Sequence, residues 1–472
     1  MRMRLSKDSP RSWILFCLVP FCVLCVALLH REARAAASPP QSRIPAVTPP
    51  MGWNSWDAYG ESVTEKDIRE TAQYMAAHLK SHGWQYIVVD MGWYVTNHSA
   101  GTNSKNAQFR IDSFGRFKPA VNTFPSSSGD SGFKPLAAYI HSLGLKFGIH
   151  ILRGIPREAV SRNFPIEGSS FHAADAADTS DICPWNPFTY GLDPAKPAAQ
   201  AYYDSIARLY AQWGVDFLKV DCIASHPYEP EEIRMIAEAL RKTGRPIVLS
   251  LSPGPAPLEH GGELAQYAQM WRISDDVWDV WHSDANFPRG VGDQFERAAK
   301  WLPFSGPGHW PDADMLPLGS LRPAPGWGQP RETRLTHDEQ RTLLTLWCMF
   351  RSPLVLGGNP LALANDAWTT SLLTNDEVLA VDQRSRDNRA VLSAATTVVW
   401  TAKPEAKSGY YAAVFNLEGE PQTVRLAWSN LGLPEGSYRL RDLWQRKDLT
   451  PANALSVSLP PHGSVLYRVI SR

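Results

Sequence analysis

The segment Phe217-Leu218-Lys219-Val220-Asp221 is a short apolar run that ends on a charged residue, and helical patterns flank it at 195–213 and 230–243. Large apolar and β-branched residues in such a run are typical of a buried strand. Similar runs occur at 86–90, 146–150, 246–250, 270–274 and 354–357. Short buried strands that alternate with helices predict a parallel sheet joined by crossover helices.

Helical periodicity places helices at 64–82, 133–143, 195–213, 230–243, 292–302 and 337–350. Two of these helices begin with a capping-box pattern, in which Thr64 precedes Asp67 and Thr336 precedes Glu339. Four helices are predicted to end at a glycine, namely Gly83, Gly144, Gly214 and Gly244.

Two more strands, near 51–53 and 309–310, complete eight βα units, a number that favours a (β/α)8 TIM barrel over an open doubly wound sheet. No Gly-x-Gly-x-x-Gly motif follows the first strand, which argues against a dinucleotide-binding sheet.

After about Gln383 the helical period disappears. Short alternating strands at 398–400, 410–415, 423–427, 438–440 and 464–467 predict a C-terminal antiparallel β-sandwich.

The N-terminus has the pattern of an export signal, with four basic residues before an apolar run at 13–29 and small residues at 33–37. We therefore expect a signal peptide at 1–37, a barrel domain at 38–385 and a sandwich domain at 386–472. The expected location is extracellular or periplasmic, without stable membrane association once the signal is cleaved. An uncleaved membrane anchor is the alternative, because the run is 17 residues long.

Charge and cysteine content exclude two classes of site. Lys and Arg number 47 against 47 Asp and Glu, and loss of residues 1–37 removes six basic and two acidic residues, leaving 41 − 45 = −4. A nucleic-acid partner is not expected, because phosphate binding requires a basic excess.

Cys183, Cys222 and Cys348 remain after loss of residues 1–37, and their spacing is not that of a metal site. We expect Cys183 and Cys222, which lie in or beside loops, to form a disulfide, and Cys348 to be a buried thiol.

Charged residues at strand ends are the candidates for chemistry, because a barrel builds its active site at the C-terminal ends of its strands. Side chains alternate along a strand, so Lys219 and Asp221 point to the same side, and a nearby cation keeps a carboxylate nucleophile ionised. The same parity places Asp276 with Arg272 and leaves Asp275 facing the loop or solvent. Two carboxylates across a barrel mouth are the minimum apparatus of a glycosidase. The alternative for Lys219 and Asp221 is a structural ion pair.

Other polar and aromatic residues suit the binding of a sugar. Asp90 ends the second strand, and Asp314 lies in the acidic cluster at 309–315; both are interpreted as hydrogen-bonding sugar hydroxyls. The chain contains 18 tryptophans, an excess that is consistent with sugar stacking and equally with core filling, and Trp56 and Trp310 are the favoured stacking platforms.

Four segments, at 50–56, 218–222, 271–276 and 310–316, resemble glycoside hydrolase family 27, the α-galactosidase or melibiase family of clan D, in order and spacing. The resemblance covers nearly all of 48–384, and the C-terminal part is similar to the family's β-sandwich. It implies a retaining glycosidase in which Asp221 is the nucleophile and Asp276 the acid/base. It also implies a disulfide between Cys222 and a nearby loop cysteine.

The resemblance assigns sugar contacts as well, by position in this chain. The implied substrate-binding residues are Trp56, Asp90, His150, Lys219, Ser252, Arg272, Asp314 and Met315. No metal or organic cofactor is implied, and the partner is an oligosaccharide or small-molecule substrate. Oligomeric state stays open, a homodimer included.

Three departures from the family pattern bear on which sugar is bound. Met91 follows Asp90 where a second aspartate is common, His150 stands where a tyrosine is common, and the fifth-strand loop at 250–254 lacks the usual glutamate. Loss of a charged partner for a sugar hydroxyl is enough to alter specificity. We expect a secreted α-galactosidase first. The alternatives are an isomalto-type α-glucanase, a β-L-arabinopyranosidase, or a glycan-binding relative with weak turnover.

Overall fold

The computed structural model describes residues 45–97, 106–285, 287–322, 329–406 and 408–471. The predicted signal peptide and the start of the lead-in after it lie outside these residues. Within them, no helix combines the length and the apolar character needed to cross a membrane.

Eight parallel strands form the N-terminal sheet, in the order that a barrel requires. They are β1 (Met51–Asn54), β2 (Tyr86–Val89), β3 (Lys146–Leu152), β4 (Phe217–Asp221), β5 (Val248–Leu251), β6 (Met270–Arg272), β7 (Trp310–Asp312) and β8 (Leu354–Leu356). A parallel bridge between Leu316 and Leu356 joins the segment after β7 to β8. There, the Leu316 amide donates to Val355 O at 2.7 Å. The sheet therefore closes, and the predicted TIM barrel is confirmed.

Helices connect the barrel strands and cover the outside of the sheet. The longer ones are Glu65–His78, Lys134–Ser142, Pro197–Trp213, Pro230–Lys242, Gly261–Tyr267, Gln294–Trp301, His337–Phe350, Ala367–Leu373 and Asp376–Gln383. Short helical turns occupy Trp56–Tyr59, Arg157–Ser161 and Ala173–Ala176. Gly261–Tyr267, Ala367–Leu373 and Asp376–Gln383 were not predicted from the sequence.

Both predicted capping boxes are present. Thr64 accepts from the Asp67 amide, Thr336 accepts from the Glu339 amide, and each acidic side chain accepts from the amide of its threonine. The predicted terminal glycines have φ of +100°, +72°, +88° and +71° at Gly83, Gly144, Gly214 and Gly244. In this left-handed region a side chain is strained, which explains why glycine stands at these helix ends.

A small antiparallel sheet is inserted after β3, where the sequence predicts only a loop. Its strands are Ile155–Pro156, Ala177–Ile182 and Thr189–Leu192. The strand Ala177–Ile182 is polar and largely half-buried or exposed, so it has no apolar alternation that would identify it. The loop that follows it carries Cys183 and Trp185 to the mouth of the barrel.

Eight antiparallel strands follow the barrel and confirm the predicted sandwich. They are β9 (Ser385–Ser393), β10 (Thr397–Pro404), β11 (Tyr410–Asn416), β12 (Gln422–Leu426), β13 (Tyr438–Asp442), β14 (Lys447–Ala452), β15 (Leu455–Leu459) and β16 (Ser464–Ser471). Six form one sheet in the order β9-β10-β11-β16-β13-β14, and β12 pairs with β15. One face of the large sheet continues the barrel core through Trp400 and Phe415. The other face encloses a second core with Val414 and Trp428.

Candidate active site

A cavity of about 310 Å³ lies at the C-terminal ends of the barrel strands. Its lining residues are Trp56, Asp90, Met91, His150, Trp185, Lys219, Asp221, His226, Ser252, Pro253, Arg272, Asp275, Asp276, Phe287 and Met315. The structure therefore brings both predicted catalytic carboxylates, and every predicted sugar-binding residue except Asp314, to one cavity.

Lys219 and Asp221 share one side of β4, as side-chain alternation predicts, and both reach the cavity. The Lys219 ammonium donates to Asp90 Oδ2 at 2.9 Å, and Asn54 Nδ2 donates to the same oxygen at 2.7 Å. Burial alone would raise the pKa of Asp90, but the charge of Lys219 holds it well below its usual range. Asp90 is thus a fixed anion whose position is set by β1 and β4.

Asp221 carries two hydrogen bonds on its carboxylate. The Cys222 amide donates to Oδ1 at 2.8 Å, and His150 Nε2 lies 3.1 Å from Oδ2. Burial would raise the pKa of Asp221, but the bond from His150 and the charge of Lys219 lower it below its usual value. Asp221 is therefore ionised at neutral pH, as a carboxylate nucleophile must be.

The backbone that carries Asp221 is held by Arg153, which is 1% exposed. The Arg153 amide donates to Asp221 O at 3.0 Å, and its Nε donates to Cys222 O at 2.7 Å. Carboxylate oxygens of Asp181, Glu229 and Glu232 lie within 4.8 Å of one another, as in a group that could hold a metal ion. They surround the Arg153 guanidinium, however, which already supplies the positive charge. Cys222 is bonded to Cys183, as predicted.

Arg272 lies between two carboxylates at the end of β6. Its guanidinium is 3.2 Å from Asp276 Oδ1 and 2.6 Å from Asp314 Oδ2. The side chain of Asp276 is 30% exposed and lines the cavity, whereas that of Asp314 is 3% exposed. Asp276 lies beside Arg272, as predicted, but it follows the end of β6 at Arg272, so the loop and not strand alternation sets this contact.

Asp314 lies behind Arg272 rather than on the cavity wall. Besides Arg272, the amides of Val277 and Met315 donate to its carboxylate at 2.6 and 2.7 Å. These three bonds hold Arg272 and the start of the loop after β6. Met315, the next residue, does line the cavity.

Two sequence interpretations are corrected. Asp275, expected to face solvent, has a side chain only 18% exposed, lines the cavity, and lies 4.0 Å from His226. The loop after β6 turns back over the barrel mouth, so strand parity no longer applies there. Trp310 is fully buried and donates to Ala46 O at 2.8 Å, so the stacking role predicted for it is wrong. Trp56 does line the cavity.

Sequence reasoning missed several residues that line the cavity, namely Trp185, His226, Pro253 and Phe287. They lie on loops, where no periodic pattern indicates direction. The predicted disulfide was the available signal for Trp185, because Cys183 lies two residues before it and is tied to the residue after Asp221. Phe287, which is 45% exposed, had no comparable signal.

Two family models match parts of this chain. A family model described as "Alpha galactosidase A" matches residues 193–384, and one described as "Alpha galactosidase C-terminal beta sandwich domain" matches 394–469. α-Galactosidase A of Cellvibrio japonicus is 27% identical over 90% of this chain and 93% of its own length. The α-galactosidase of Cyamopsis tetragonoloba is 29% identical over 90% of this chain and 87% of its own.

A solved structure is considerably more similar. The family 27 β-L-arabinopyranosidase of Geobacillus stearothermophilus is 50% identical, covers 90% of this chain and 97% of its own, and superposes with a TM-score of 0.85. Identity at this level over nearly the whole chain shows common family membership. This chain is accordingly a glycoside hydrolase that acts on oligosaccharide substrates, and it belongs to glycoside hydrolase family 27.

Proposed function

We propose that this chain is an exported, retaining exo-glycosidase that prefers β-L-arabinopyranosides and accepts α-D-galactosides as second substrates. The two sugars share ring stereochemistry, and the pentose lacks C6. The observation that carries the preference is Met91, which lines the cavity beside Asp90. A thioether offers a primary hydroxyl only a weak acceptor and no donor, so a hexose gains little from its extra CH2OH group at this wall.

The similarity to known proteins supports the same order. The β-L-arabinopyranosidase of Geobacillus stearothermophilus is 50% identical to this chain, and a variant of it has been solved with arabinose. The α-galactosidases of Cellvibrio japonicus and Cyamopsis tetragonoloba are 27% and 29% identical. α-Galactosidase activity, the first expectation from sequence, is kept as the second candidate because these relatives also match across almost the whole chain.

The proposed mechanism assigns the roles of Asp221 and Asp276, two of the carboxylates that line the cavity, by their depth. Asp221, with a side chain 14% exposed, attacks C1 of the terminal sugar, and Asp276, 30% exposed, gives its proton to the leaving oxygen at the mouth. The C1–oxygen bond breaks as the C1–Asp221 bond forms. Asp276 then takes a proton from water, whose oxygen attacks C1 and releases the sugar with its original anomeric configuration.

The remaining cavity residues position the sugar. Asp90 and Lys219 form a buried donor and acceptor pair suited to adjacent hydroxyls, and Arg272 keeps Asp276 oriented through a 3.2 Å contact. Trp56 supplies an aromatic wall. Export is supported by the N-terminal signal pattern and by the Cys183–Cys222 disulfide, since disulfides persist in oxidising compartments.

A panel of nitrophenyl glycosides tests the proposal. We expect kcat/KM to be highest for the β-L-arabinopyranoside, lower for the α-D-galactopyranoside, and negligible for the α-D-glucopyranoside. Asp221→Asn should reduce turnover by about 10⁴-fold or more without loss of folding. Proton NMR of the first product should show retained configuration. A preference for the α-D-glucopyranoside, or near-wild-type activity of Asp221→Asn, would contradict the proposal.

A further inference from the structure

His150 contacts the candidate nucleophile directly, although the resemblance alone would make it a sugar-binding residue. We propose that His150 is a positioning residue for Asp221: a neutral imidazole that donates its Nε2 proton to Asp221 Oδ2 and fixes the rotation of that carboxylate. The inference rests on the proposed function, since it gives Asp221 the role of nucleophile.

The contact is made by a rigid pair. His150 is 1% exposed on β3, its Nε2 lies 3.1 Å from Asp221 Oδ2, and the neighbouring strands β3 and β4 pair His150 with Lys219 in register. The backbone of His150 is also held, because Trp93 Nε1 donates to His150 O at 2.7 Å. The backbone positions of both residues are therefore fixed by neighbouring barrel strands.

The other ring nitrogen determines the protonation state. His150 Nδ1 is buried and has no hydrogen-bond partner among the residues that the structure describes. A proton on Nδ1 would be a buried donor without an acceptor, which costs more than an unshared lone pair at the same place. The ring therefore carries one proton, on Nε2, and that proton points to the carboxylate of Asp221.

Lys219 does not duplicate this function. Its ammonium donates to Asp90, and it acts on Asp221 through charge alone, whereas the neutral His150 acts through a hydrogen bond. With the Cys222 amide on Oδ1 and His150 on Oδ2, each oxygen of Asp221 has one fixed donor. The carboxylate is thereby held in one rotamer, with a lone pair on each oxygen left for attack at C1.

The pH dependence of activity provides a readout that a purely structural role would not change. The titratable and charged groups that face Asp221 are His150 from β3, Lys219 from β4, Asp90 and Tyr94 from the segment after β2, and Arg272 with Asp276 from β6 and its loop. His150 heads the contributions that lower the pKa of Asp221, so its removal raises that pKa. Because Asp221 must be ionised to attack, the acid limb of kcat/KM then moves to higher pH.

The experiment compares His150→Leu, which removes the donor, with His150→Gln, whose amide can still donate. In the full-length enzyme we expect kcat/KM for nitrophenyl β-L-arabinopyranoside to fall about 10- to 100-fold in His150→Leu, mainly through kcat. Its acid limb should rise by about one pH unit. His150→Gln should retain kcat/KM within about fivefold of wild type. An unchanged acid limb in His150→Leu, or equal losses in both variants, overturns the inference.

A matched control exists at the other end of β4. His141 Nε2 lies 2.7 Å from Asp216 Oδ2, outside the barrel and away from the cavity. His141→Gln should leave kcat and the pH profile at wild-type values, and a shift equal to that of His150→Leu would contradict the inference.

Two further measurements separate the inference from the proposed function. In ¹⁵N-histidine spectra, the resonances lost in His150→Gln should show an Nε2–H tautomer; a proton on Nδ1 overturns the inference even if His150→Leu fails to fold. Separately, a fluorinated glycosyl fluoride should label Asp221 in the wild-type enzyme. Absence of that label rejects Asp221 as nucleophile, whereas labelling of His150→Leu at the wild-type rate rejects only the role of His150.

Discussion

The Lys219 ammonium lies 2.9 Å from Asp90 Oδ2. Lys219 on β4 is therefore hydrogen-bonded to the residue that follows β2, and not to Asp221 on its own strand. β2 and β4 do not pair directly; β3 lies between them. The bond therefore passes over β3 on the inside of the barrel, at the cavity. Both side chains are well buried, at 14% and 3% exposure, and they form one ion pair on the wall of the cavity.

Asp90→Asn is expected to weaken sugar binding and the fold together. The change leaves the Lys219 ammonium buried without its counter-ion, and breaking a buried pair costs about 3–5 kcal/mol of folding stability. KM should rise more than kcat falls, because the role proposed for the pair is to bind hydroxyls and not to react. Thermal unfolding and initial rates measure the two effects. Lys242→Met is the control: its 2.8 Å pair with Asp204 is solvent-accessible, and we expect a loss below about 1 kcal/mol.

Met91→Asp is expected to shift the preference between the two sugars. A carboxylate at this wall can accept a hydrogen bond from a primary hydroxyl, and a new polar partner of this kind changes specificity by about 10- to 100-fold. The ratio of kcat/KM for the α-D-galactopyranoside to that for the β-L-arabinopyranoside should rise accordingly. Met91→Leu, which stays apolar, should leave the ratio unchanged. A fall in the ratio for Met91→Asp would show that Met91 does not face C6.

Removal of the Cys183–Cys222 disulfide is expected to reduce both stability and turnover. The bridge closes a loop with a sequence separation of 39, for which chain entropy gives about 4 kcal/mol. Cys222 follows Asp221 and has φ of +61°, so the bridge also holds a strained backbone beside the proposed nucleophile. Cys183→Ala should lower the denaturation midpoint and kcat. Unchanged kcat at a temperature well below unfolding would show that the bridge serves stability alone.

Regular elements were predictable because their signals are local. The apolar run ending at Asp221 identified β4, and the threonine caps and terminal glycines located helix ends such as Thr336. Strand parity correctly placed Lys219 beside Asp221, since alternation holds inside a strand. The same rule does not extend to Asp275 and Asp276, because both follow the end of β6 at Arg272.

Contacts between distant segments could not be predicted from spacing. Lys219 bonds to Asp90, and His150 bonds to Asp221. Both contacts depend on how far the side chains reach inside the barrel, which the spacing of residues in the sequence does not indicate. Trp310 illustrates the opposite error, in which the sequence predicts a sugar contact that the structure does not have. An aromatic residue beside a cluster of acidic residues looks like a sugar platform, but its indole faces inward to Ala46 O, and only the packing of the lead-in reveals this.

Asp279→Asn is expected to destabilise the protein above about pH 4. Asp279 is buried and accepts from Arg331 and Arg334, which tie the loop after β6 to the strand Arg331–Glu332. Burial would raise the pKa of Asp279, but the two arginines lower it to about 2. Its folded pKa is depressed, so its contribution is present above the unfolded value and is lost as pH falls towards 2. Thermal melts should show a deficit at pH 7 that shrinks with acidification; a deficit independent of pH would contradict this.

Asp57→Asn is expected to have the opposite pH dependence. Asp57 is 2% exposed, its Oδ2 has no hydrogen-bond partner among the described residues, and burial together with the charges of Asp314 and Asp276 raises its pKa well above the usual value. A group whose pKa is raised by folding contributes stability that is fully present below its unfolded pKa. That stability is lost as pH rises through the folded pKa. Wild type should therefore lose stability from about pH 4 upward, and the neutral asparagine should raise Tm by about 1 °C per kcal/mol regained, as the unfolding entropy of a chain of this length implies. In melts from pH 4.5 to 8, the advantage of Asp57→Asn should grow with pH. An advantage that shrinks with pH would mean that Asp57 is ionised and paired in the folded enzyme.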